Sequence, residues 1–494
     1  MTGLLTLDRW IRERAALTPD RVAIDYLDRA ITYGDLDERS DRLARTLLDA
    51  GLRRGDRLAT LTANSPENVE AFFACAKAGF MLMPLNWRLS PAELDYQLED
   101  AEPALLLVDP DHDELAARLS AAPDLRPLGE VGEGGAPIPR QVEDADGLLL
   151  VYTSGTTGRP KGAVLTHANC FWTNLGFDLS TGVSGDDVVL QVLPQFHCGG
   201  WNVHPLLAWW KGARVVLERE FDADRCLGLI QSRRITQLMG VPAIYLFLSQ
   251  AAGFDDADLS SLRRAVVGGA PMPESLLETW QRRGVDIVQG YGLTEAAPNV
   301  LCLPPEDARR KMGYAGKPYP YVTCAVRDAA TGDLLEGAAE GELVVRGPNV
   351  FAGYWRNEEA TADVFDGSWL RTGDIAERDE EGYYRIRGRL KEMFISGGEN
   401  VYPAEVEQVL MQHAAVGDAA VVGVPDERWG EVGAAFVVLE TGATAGADEL
   451  REHCCSLLAR FKVPKSFTFV AELPRSAMNK VLKDDLRAAH EALA

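Results

Sequence analysis

The chain contains the stretch Leu148-Leu-Leu-Val-Tyr-Thr-Ser-Gly-Thr-Thr-Gly-Arg-Pro-Lys-Gly162, an apolar, β-prone run that passes into a loop of hydroxyl residues and glycines. The glycines let backbone N–H groups approach an anion, the hydroxyls add donors and Lys161 adds a positive charge. The combination predicts a polyphosphate-binding loop, although the G-x-x-x-x-G-K-[ST] spacing of a Walker A loop is not met. A flexible surface turn is the alternative, and the full ten-residue string from Thr153 to Gly162 makes it the weaker one.

The sequence before this loop alternates helical and strand-like patterns, which favours an α/β architecture. Apolar residues at helical spacing over 35–50 predict a helix, and short β-prone runs at 57–62 and 104–108 predict strands. The stretch 121–140 is rich in proline and glycine and lacks periodicity, so it predicts a loop.

The last hundred residues look like a separate domain, and we place its boundary at 389–391. Pro403 is suited to the first position of a helix, where its missing N–H costs nothing. The apolar residues Val406, Leu410 and Ala414 would then line one face of that helix.

Composition excludes several classes of protein. The 494 residues carry 50 Lys+Arg against 74 Asp+Glu, a net charge of −24, which argues against a general nucleic-acid binder. The eight cysteines form no C-x-x-C pair and are sparse, which indicates a reducing compartment. The N-terminus lacks the apolar region of a signal peptide, and no apolar run is long enough to span a bilayer. We therefore expect a cytoplasmic protein.

The order of several motifs resembles the adenylate-forming superfamily, which includes acyl- and aryl-CoA synthetases, peptide-synthetase adenylation domains and beetle luciferases. The resemblance covers essentially the whole chain. After the string 153–162, the motifs that carry it are Phe196-His-Cys-Gly-Gly200, Gly290-Tyr-Gly-Leu-Thr-Glu295, Gly341-Glu-Leu343, Tyr354-Trp355, Arg371-Thr-Gly-Asp374, Gly388-Arg-Leu-Lys391 and Pro474-Arg-Ser-Ala-Met-Asn-Lys480.

The resemblance implies an α/β fold with a large N-terminal AMP-binding domain over 1–388, built from parallel and mixed sheets flanked by helices plus a distorted β-barrel subdomain. It also implies a hinge at 389–391, centred on Lys391, and a small mobile α+β domain over 392–494 that carries a catalytic lysine. A homodimer is a further expectation.

The same resemblance implies an ATP site. Tyr291 would stack on the base, Thr294 would bind a phosphate oxygen and Glu295 would hold Mg²⁺, which prefers oxygen ligands. Asp374 would accept the ribose hydroxyls with help from Arg389. Taken singly, each residue also has an ordinary structural explanation. The expected ATP-binding residues are Thr153, Ser154, Gly155, Thr156, Thr157, Gly158, Lys161, Gly269, Ala270, Pro271, Gly290, Tyr291, Gly292, Thr294, Asp374 and Arg389.

The expected catalytic residues are Lys480, Glu295, Thr294 and His197. By resemblance, the Lys480 ammonium bridges the substrate carboxylate and the α-phosphate, and so offsets the repulsion between two anions in the transition state. The family more often has glycine before this lysine, where this chain has Asn479. We assign His197 to the passage of the acyl group or the thiol, and not to proton transfer.

The expected acyl pocket consists of small or apolar residues and one histidine, namely His197, Gly199, Gly200, Trp201, Val241, Pro242, Gly268, Gly292 and Ala297. Amino-acid-activating relatives place an aspartate shortly after the equivalent of Phe196, and malonate-activating relatives have arginine where this chain has Gly290. Neither charged group is present, so neutral acids remain, and we favour a fatty or related aliphatic acid over an aromatic one.

These features predict an acid–thiol ligase that uses ATP and Mg²⁺ to form an acyl-adenylate and then transfers the acyl group to coenzyme A. The turn with Gly397 and Gly398 would face the pantetheine arm. The alternatives are a ligase that loads a carrier protein, an aryl-CoA ligase, an oxygenase of the luciferase type and a non-catalytic ATP-binding protein.

Overall fold

The computed structural model describes residues 3–130, 132, 138–139, 141–153, 159–396, 399–426, 428–476 and 481–493. The chain divides into two compact units. The first comprises 1–324 and 345–370, and the second comprises 325–344 and 371–494. The hinge expected at 389–391 stays a prediction.

The part of the chain before the Ser/Thr/Gly loop alternates strands and helices. Its elements are α1 (Asp8–Leu17), β1 (Val22–Tyr26), β2 (Arg29–Thr32), α2 (Tyr33–Asp49), β3 (Arg57–Leu61), α3 (Pro66–Ala78), β4 (Met81–Leu85), α4 (Pro91–Ala101), β5 (Leu105–Val108), α5 (Asp113–Ala116), β6 (Leu125–Pro127) and β7 (Gly147–Thr153).

The same alternation continues after the loop. The elements are β8 (Lys161–Thr166), α6 (His167–Thr181), β9 (Val188–Gln191), α7 (Gly199–Asn202), α8 (Pro205–Lys211), β10 (Arg214–Leu217), α9 (Ala223–Ser232), β11 (Gln237–Gly240), α10 (Pro242–Gln250), β12 (Arg264–Val267), α11 (Glu274–Arg282), β13 (Ile287–Gly292), β14 (Asn299–Cys302) and β15 (Lys317–Pro318).

The remaining sequence is richer in strands. It forms β16 (Thr323–Arg327), β17 (Leu334–Leu335), β18 (Ala339–Arg346), β19 (Gly353–Tyr354), α12 (Glu358–Val364), β20 (Phe365–Asp366), β21 (Trp369–Arg378), β22 (Tyr384–Arg389), β23 (Phe394–Ser396), β24 (Glu399–Val401), α13 (Pro403–Leu410), β25 (Val416–Asp426), β26 (Gly430–Leu439), α14 (Ala447–Leu457), β27 (Ser466–Phe469) and α15 (Lys483–Leu493).

The first unit is built on two sheets. Within the described ranges, one has the strand order β15-β14-β13-β12-β11-β9-β10-β1-β2 and the other the order β19-β8-β7-β4-β3-β5-β6. Strands β1, β10, β9, β11, β12 and β13 run parallel, so their carboxyl ends meet at one edge, where α/β proteins bind ligands. One face of this sheet packs against α9, α10 and α11 through a core that includes Leu238, Val267 and Trp280.

Two smaller sheets follow in the sequence. The first, ordered β17-β16-β18-β21-β20 with β22 paired to β21, is a curled half-barrel. The second lies in the second unit and has the order β24-β23-β26-β25, with β27 paired to β26. The predicted α/β class, the curled sheet and the small C-terminal domain are confirmed.

Three local predictions needed correction. The helix predicted over 35–50 begins earlier, at Tyr33, because Thr32 and Asp35 form a capping box around its first turn. The predicted loop 121–140 contains the short strand β6, which pairs with β5. Helix α13 begins at Pro403 as expected but ends at Leu410, so Ala414 lies beyond it.

Among the described residues, no helix is both long and apolar enough to cross a bilayer.

Candidate active site

The predicted phosphate loop connects two antiparallel strands. Strand β7 ends at Thr153 and β8 begins at Lys161, and these two residues are paired across the hairpin. The buried run Leu148–Val151 anchors β7 in the sheet, so the end of the hairpin is fixed by apolar packing. The Lys161 Nζ lies 5.2 Å from the centroid of the Tyr354 ring. Ser154, Gly155, Thr156, Thr157 and Gly158 lie outside the described residues.

The Thr294–Glu295 turn follows β13 directly and is held by several contacts. The Tyr354 hydroxyl donates to Oε1 of Glu295 over 2.7 Å, and the backbone N–H of Phe351 donates to the Glu295 carbonyl over 2.8 Å. The Cys198 thiol lies 3.6 Å from the Thr294 hydroxyl, and burial raises the pKa of Cys198 so that the thiol stays protonated. The side chains of Thr294 and Glu295 are both half-buried.

This turn offers a suitable donor set for Mg²⁺. A carboxylate and a hydroxyl are hard oxygen ligands, and Mg²⁺ in nucleotide enzymes usually takes one or two carboxylates together with phosphate oxygens. The residues present at 294 and 295 therefore fit the expected ion.

The end of β13 requires small residues next to the turn. A Cβ at Gly292 would lie 1.8 Å from the Pro298 carbonyl oxygen, so only glycine fits there. Tyr291, between Gly290 and Gly292, is half-buried. Ala297 is buried with a φ of 62°, in the left-handed region, and closes the turn.

Two glycines and an apolar side chain adjoin one another at the carboxyl ends of β11, β12 and β13. A Cβ at Gly268 would lie 3.1 Å from Cε of Met239 and 3.4 Å from the carbonyl oxygen of Gly290. Gly269 has a φ of 80°, and its Cβ would lie 3.4 Å from Val241. The structure thus places Gly269, predicted to bind ATP, next to Val241 and Gly268, predicted to line the acyl pocket. Of the other residues predicted here, Pro242 is the first residue of α10, and Ala270 and Pro271 are exposed.

His197 follows β9 and is neutral at physiological pH. Burial, with a smaller contribution from the positive charge of Arg88, lowers the pKa of His197 to about 4. Its ring packs edge-on to Phe196 at 4.7 Å between centroids. The ring therefore carries no charge at neutral pH, and its assignment to the passage of the acyl group or the thiol stays a prediction.

Of the residues after His197, Gly200 lies in a tight turn and Trp201 lies in the core. A Cβ at Gly200 would lie 2.2 Å from the Pro194 carbonyl oxygen, whereas a Cβ at Gly199 would meet nothing closer than 3.8 Å. Trp201 is fully buried, stacks on Phe72 at 4.7 Å and donates from its indole nitrogen to a backbone carbonyl. Its side chain therefore supports the turn, and its place in the acyl pocket stays a prediction.

In the second unit, Asp374 and Arg389 face each other across β21 and β22. They are register partners, and Nε of Arg389 lies 2.7 Å from Oδ1 of Asp374. Asp374 is 4% exposed, and the Thr372 hydroxyl accepts its backbone N–H over 3.1 Å. The structure brings together the two residues that sequence analysis assigned to the ribose.

Lys391 lies exposed in the turn that follows β22, where the N–H of Glu392 donates to the Arg389 carbonyl over 3.0 Å. Gly397 and Gly398 lie outside the described residues, between the paired Ser396 and Glu399. Lys480 also lies outside them, next to Val481, which pairs with Arg475.

Sequence reasoning missed several residues that contact the predicted site. Tyr354 and Asn349 hold the Thr294–Glu295 turn, Cys198 touches Thr294 and Met239 lies beside Gly268. The one sequence signal for these residues was the Tyr354-Trp355 motif. It contributed to the family resemblance, but sequence analysis assigned it no chemical role.

Comparisons with known proteins identify the family of the chain. A model of AMP-binding enzymes matches residues 11–355, and a model of the AMP-binding enzyme C-terminal domain matches residues 405–480.

Individual relatives agree over nearly the whole length. The chain is similar to a feruloyl-CoA synthase from Amycolatopsis, with 42% identity over 97% of this chain and 98% of that protein. It is 41% identical to an indoleacetate–CoA ligase from Aromatoleum aromaticum, over 98% of both. It also resembles the solved O-succinylbenzoate coenzyme A synthetase from Bacillus subtilis in complex with ATP and magnesium, with a TM-score of 0.89, 34% identity and coverage of 97% and 99%.

Proposed function

Because this chain belongs to the AMP-binding enzyme family, we propose that it joins an aromatic carboxylic acid to coenzyme A. Its reaction class is that of an ATP-dependent, AMP-forming acid–CoA ligase, which uses ATP, Mg²⁺ and CoA. The observation that carries the aromatic substrate is the high identity, over nearly the full chain, to ligases named for feruloyl and indoleacetate groups. The fatty acid favoured by sequence analysis is not confirmed.

The glycines at the strand ends support this substrate class. Gly268, directly after β12, lies beside Gly290 of β13, with Met239 next to them. Neither position carries a side chain that would meet a flat ring, and a flexible thioether beside them is an adaptable apolar contact for it.

The reaction has two steps, each with its own leaving group. In the first, an oxygen of the substrate carboxylate bonds to the α-phosphorus of ATP and pyrophosphate leaves. In the second, the CoA thiol loses its proton, its sulfur bonds to the acyl carbon and AMP leaves. We assign the first step to Lys480, which would hold the two reacting anions together.

We propose that nucleotide binding is divided among the groups described above. Lys161 and the loop 153–158 would bind the polyphosphate, Thr294 would donate to a phosphate oxygen and Glu295 would hold Mg²⁺. Bound Mg²⁺ supplies charge neutralisation at the phosphate oxygens. Asp374 would accept the ribose hydroxyls, while Tyr291 and the segment 269–271 would line the base.

The remaining assignments are also proposals. Lys391 would act as the hinge between a domain over 1–388 and one over 392–494, Gly397 and Gly398 would face the pantetheine, and His197 would flank the passage to the acyl site. A cytoplasmic location is supported by the eight cysteines, all of which are described and all of which are free thiols. A homodimer and a carrier protein as acceptor remain hypotheses for solution measurements.

A pyrophosphate-release screen tests the proposal. Cinnamic, indolic, long-chain aliphatic and dicarboxylic acids are each supplied with MgATP, and either CoA or a phosphopantetheinylated carrier protein is the acceptor. We expect aromatic acids with CoA to give the highest kcat/KM. A preference for aliphatic acids would replace the aromatic assignment with the fatty one, and absence of acid-dependent pyrophosphate would contradict the ligase itself.

The variant Gly268→Val provides a matched specificity control. Gly268 has no positive φ, so the backbone there tolerates a side chain, whose Cβ would crowd the flexible end of Met239 at 3.1 Å. We expect its kcat/KM for an aromatic acid to fall far more than that for a short aliphatic acid. An equal fall for both acids would show that Gly268 does not border the ring.

A further inference from the structure

The segment Asn349–Trp355, here called the bridging segment, is attached to the strand that begins at Lys161. Gly353 and Tyr354 form β19 and pair antiparallel with β8. The N–H groups of Ala352 and Trp355 extend this attachment and donate to carbonyl oxygens of β8 over 3.1 and 2.7 Å. The bridging segment is therefore fixed to the end of the phosphate-loop hairpin.

The same segment contacts the Thr294–Glu295 turn from its other side. The Asn349 amide donates to the carbonyl oxygens of Ala296 and Asn299 over 2.8 and 2.9 Å. The Phe351 N–H and the Tyr354 hydroxyl add the two bonds to Glu295 described above. Four hydrogen bonds thus connect a seven-residue segment to residues 295–299, which lie 50 or more positions earlier in the chain.

Within this segment, Tyr354 contacts both Glu295, the expected Mg²⁺ ligand, and Lys161, an expected ATP-binding residue. Its hydroxyl bonds to Glu295 over 2.7 Å, and its ring lies 5.2 Å from the Lys161 ammonium. The Tyr354 ring packs edge-on against the Phe351 ring, with 5.0 Å between the centroids. The backbone N–H of Tyr354 donates to the Thr361 hydroxyl over 2.9 Å. Burial and the Glu295 carboxylate raise the pKa of Tyr354, so the phenol keeps the proton that it donates.

We propose that Tyr354 is a positioning residue for adenylation, whose hydroxyl orients the Glu295 carboxylate and whose ring orients the Lys161 ammonium. This inference rests on the proposed function, in which these two groups serve the metal and the polyphosphate. A carboxylate held by a fixed donor loses less conformational freedom when it takes a metal, and partners of this kind typically change metal affinity or activity by 10- to 100-fold. A cation over an aromatic face gains a smaller amount.

Three variants separate these contributions. Tyr354→Phe removes the hydroxyl and keeps the ring, whereas Tyr354→Leu removes both. Tyr33→Phe is the matched control, because Tyr33 is fully buried and its hydroxyl donates to the Ala213 carbonyl over 2.6 Å, away from every residue assigned to the site. Thermal unfolding of all three variants measures the cost of losing a buried hydroxyl.

Two readouts report the positioning role. The first is the binding of Mn²⁺ in the presence of a non-hydrolysable ATP analogue, which electron paramagnetic resonance detects without any turnover. The second is each half-reaction measured alone, with preformed acyl-adenylate supplied for thioester formation. We expect Tyr354→Phe to weaken metal binding and raise the Mg²⁺ concentration for half-maximal adenylation by about tenfold or more. Tyr354→Leu should weaken nucleotide binding by a further two- to fivefold, about what a cation–π contact supplies.

The expected pattern leaves thioester formation in Tyr354→Phe within about twofold of the parent, as in Tyr33→Phe. Unchanged metal binding in Tyr354→Phe, or an equal loss of both half-reactions, would overturn the inference. Glu295→Gln distinguishes this failure from failure of the proposed function. If Glu295→Gln weakens metal binding and Tyr354→Phe does not, the positioning role alone is wrong; if neither does, the Glu295 assignment is wrong as well.

Discussion

Asp374, which we propose binds the ribose, is a buried carboxylate held by a close charge partner. It is 4% exposed, yet Arg389 lies 2.7 Å away and offsets the cost of burying its charge. The two residues oppose each other on adjacent antiparallel strands, so the pairing of their charges holds the Asp374 carboxylate in a fixed position.

Asp374→Asn should therefore raise the KM for ATP selectively. The amide keeps the size of the side chain but loses the charge, and a hydrogen bond to a charged group contributes about 1.5–3 kcal/mol, or roughly 10- to 100-fold in KM. Isotope exchange between ATP and pyrophosphate measures this effect, with the KM for the acid as the internal control. An unchanged KM for ATP would contradict the ribose assignment.

Lys480→Ala should separate the two half-reactions. Loss of a cation that offsets the repulsion of two reacting anions is expected to slow adenylation by about 10²–10³-fold. Thioester formation from supplied acyl-adenylate joins a thiol to an activated carbonyl and should be largely retained. Pyrophosphate release and thioester formation are measured separately, and an equal loss of both would contradict the assignment.

At the scale of single residues, sequence was informative wherever a side chain acts through its own chemistry. Sequence analysis assigned Asp374 and Arg389 to one site, and the structure places them in contact, while their role at the ribose stays a prediction. The contact between Tyr354 and Glu295 was not, because 59 positions separate the two residues and only the fold brings them together.

At the scale of elements, strands and helices with a buried face could be predicted from their apolar pattern. Exposed edge strands, which have no such pattern, could not. The apolar run 148–151 predicted a strand, and it forms the buried part of β7. The prediction was possible because a strand buried on both faces carries apolar residues at successive positions. Strand β6 was missed because Leu125–Pro127 is partly exposed and needs only backbone pairing to β5. The register that places Gly268 beside Gly290 is likewise set by strand order, which a local pattern does not encode.

The turn after β22 gives a prediction about an element. Proline locks φ and has no backbone N–H, so Lys391→Pro should restrict the expected hinge, whereas Lys391→Ala keeps the backbone freedom. Because conformational steps limit many enzymes, we expect Lys391→Pro to lower CoA ester formation about tenfold or more. At least one half-reaction, measured alone by rapid quench, should stay near the parent rate. Equal behaviour of the proline and alanine variants would exclude a hinge at this residue.

At the scale of the whole molecule, acidic residues dominate the charge, yet several buried groups have pKa values that predict how stability responds to acid. Burial lowers the pKa of His167, His197 and His204 to about 4, against about 6.5 in an unfolded chain. Burial raises the pKa of Glu70 to about 7, with Arg39 opposing this shift. All four groups belong to the first unit.

These shifts predict that the first unit loses stability as the pH falls from about 6.5 to 5. In this window each histidine binds a proton only on unfolding, which destabilises the folded state, whereas Glu70 releases one on unfolding, which opposes that effect. The net uptake of about two protons corresponds to roughly 3 kcal/mol of unfolding free energy per pH unit. Denaturant titrations followed by tryptophan fluorescence report this unit, since nine of the ten tryptophans lie in it.

Two variants with opposite expected effects test the origin of this slope. His204→Gln removes one buried imidazole, so stability should depend less steeply on pH by about one proton. Glu70→Gln removes the opposing carboxyl, so the dependence should become steeper by about the same amount. If both variants keep the parent slope while changing stability at pH 7, carboxylates at the surface and not these buried groups govern the acid response, because only a titrating group can change the number of protons taken up on unfolding.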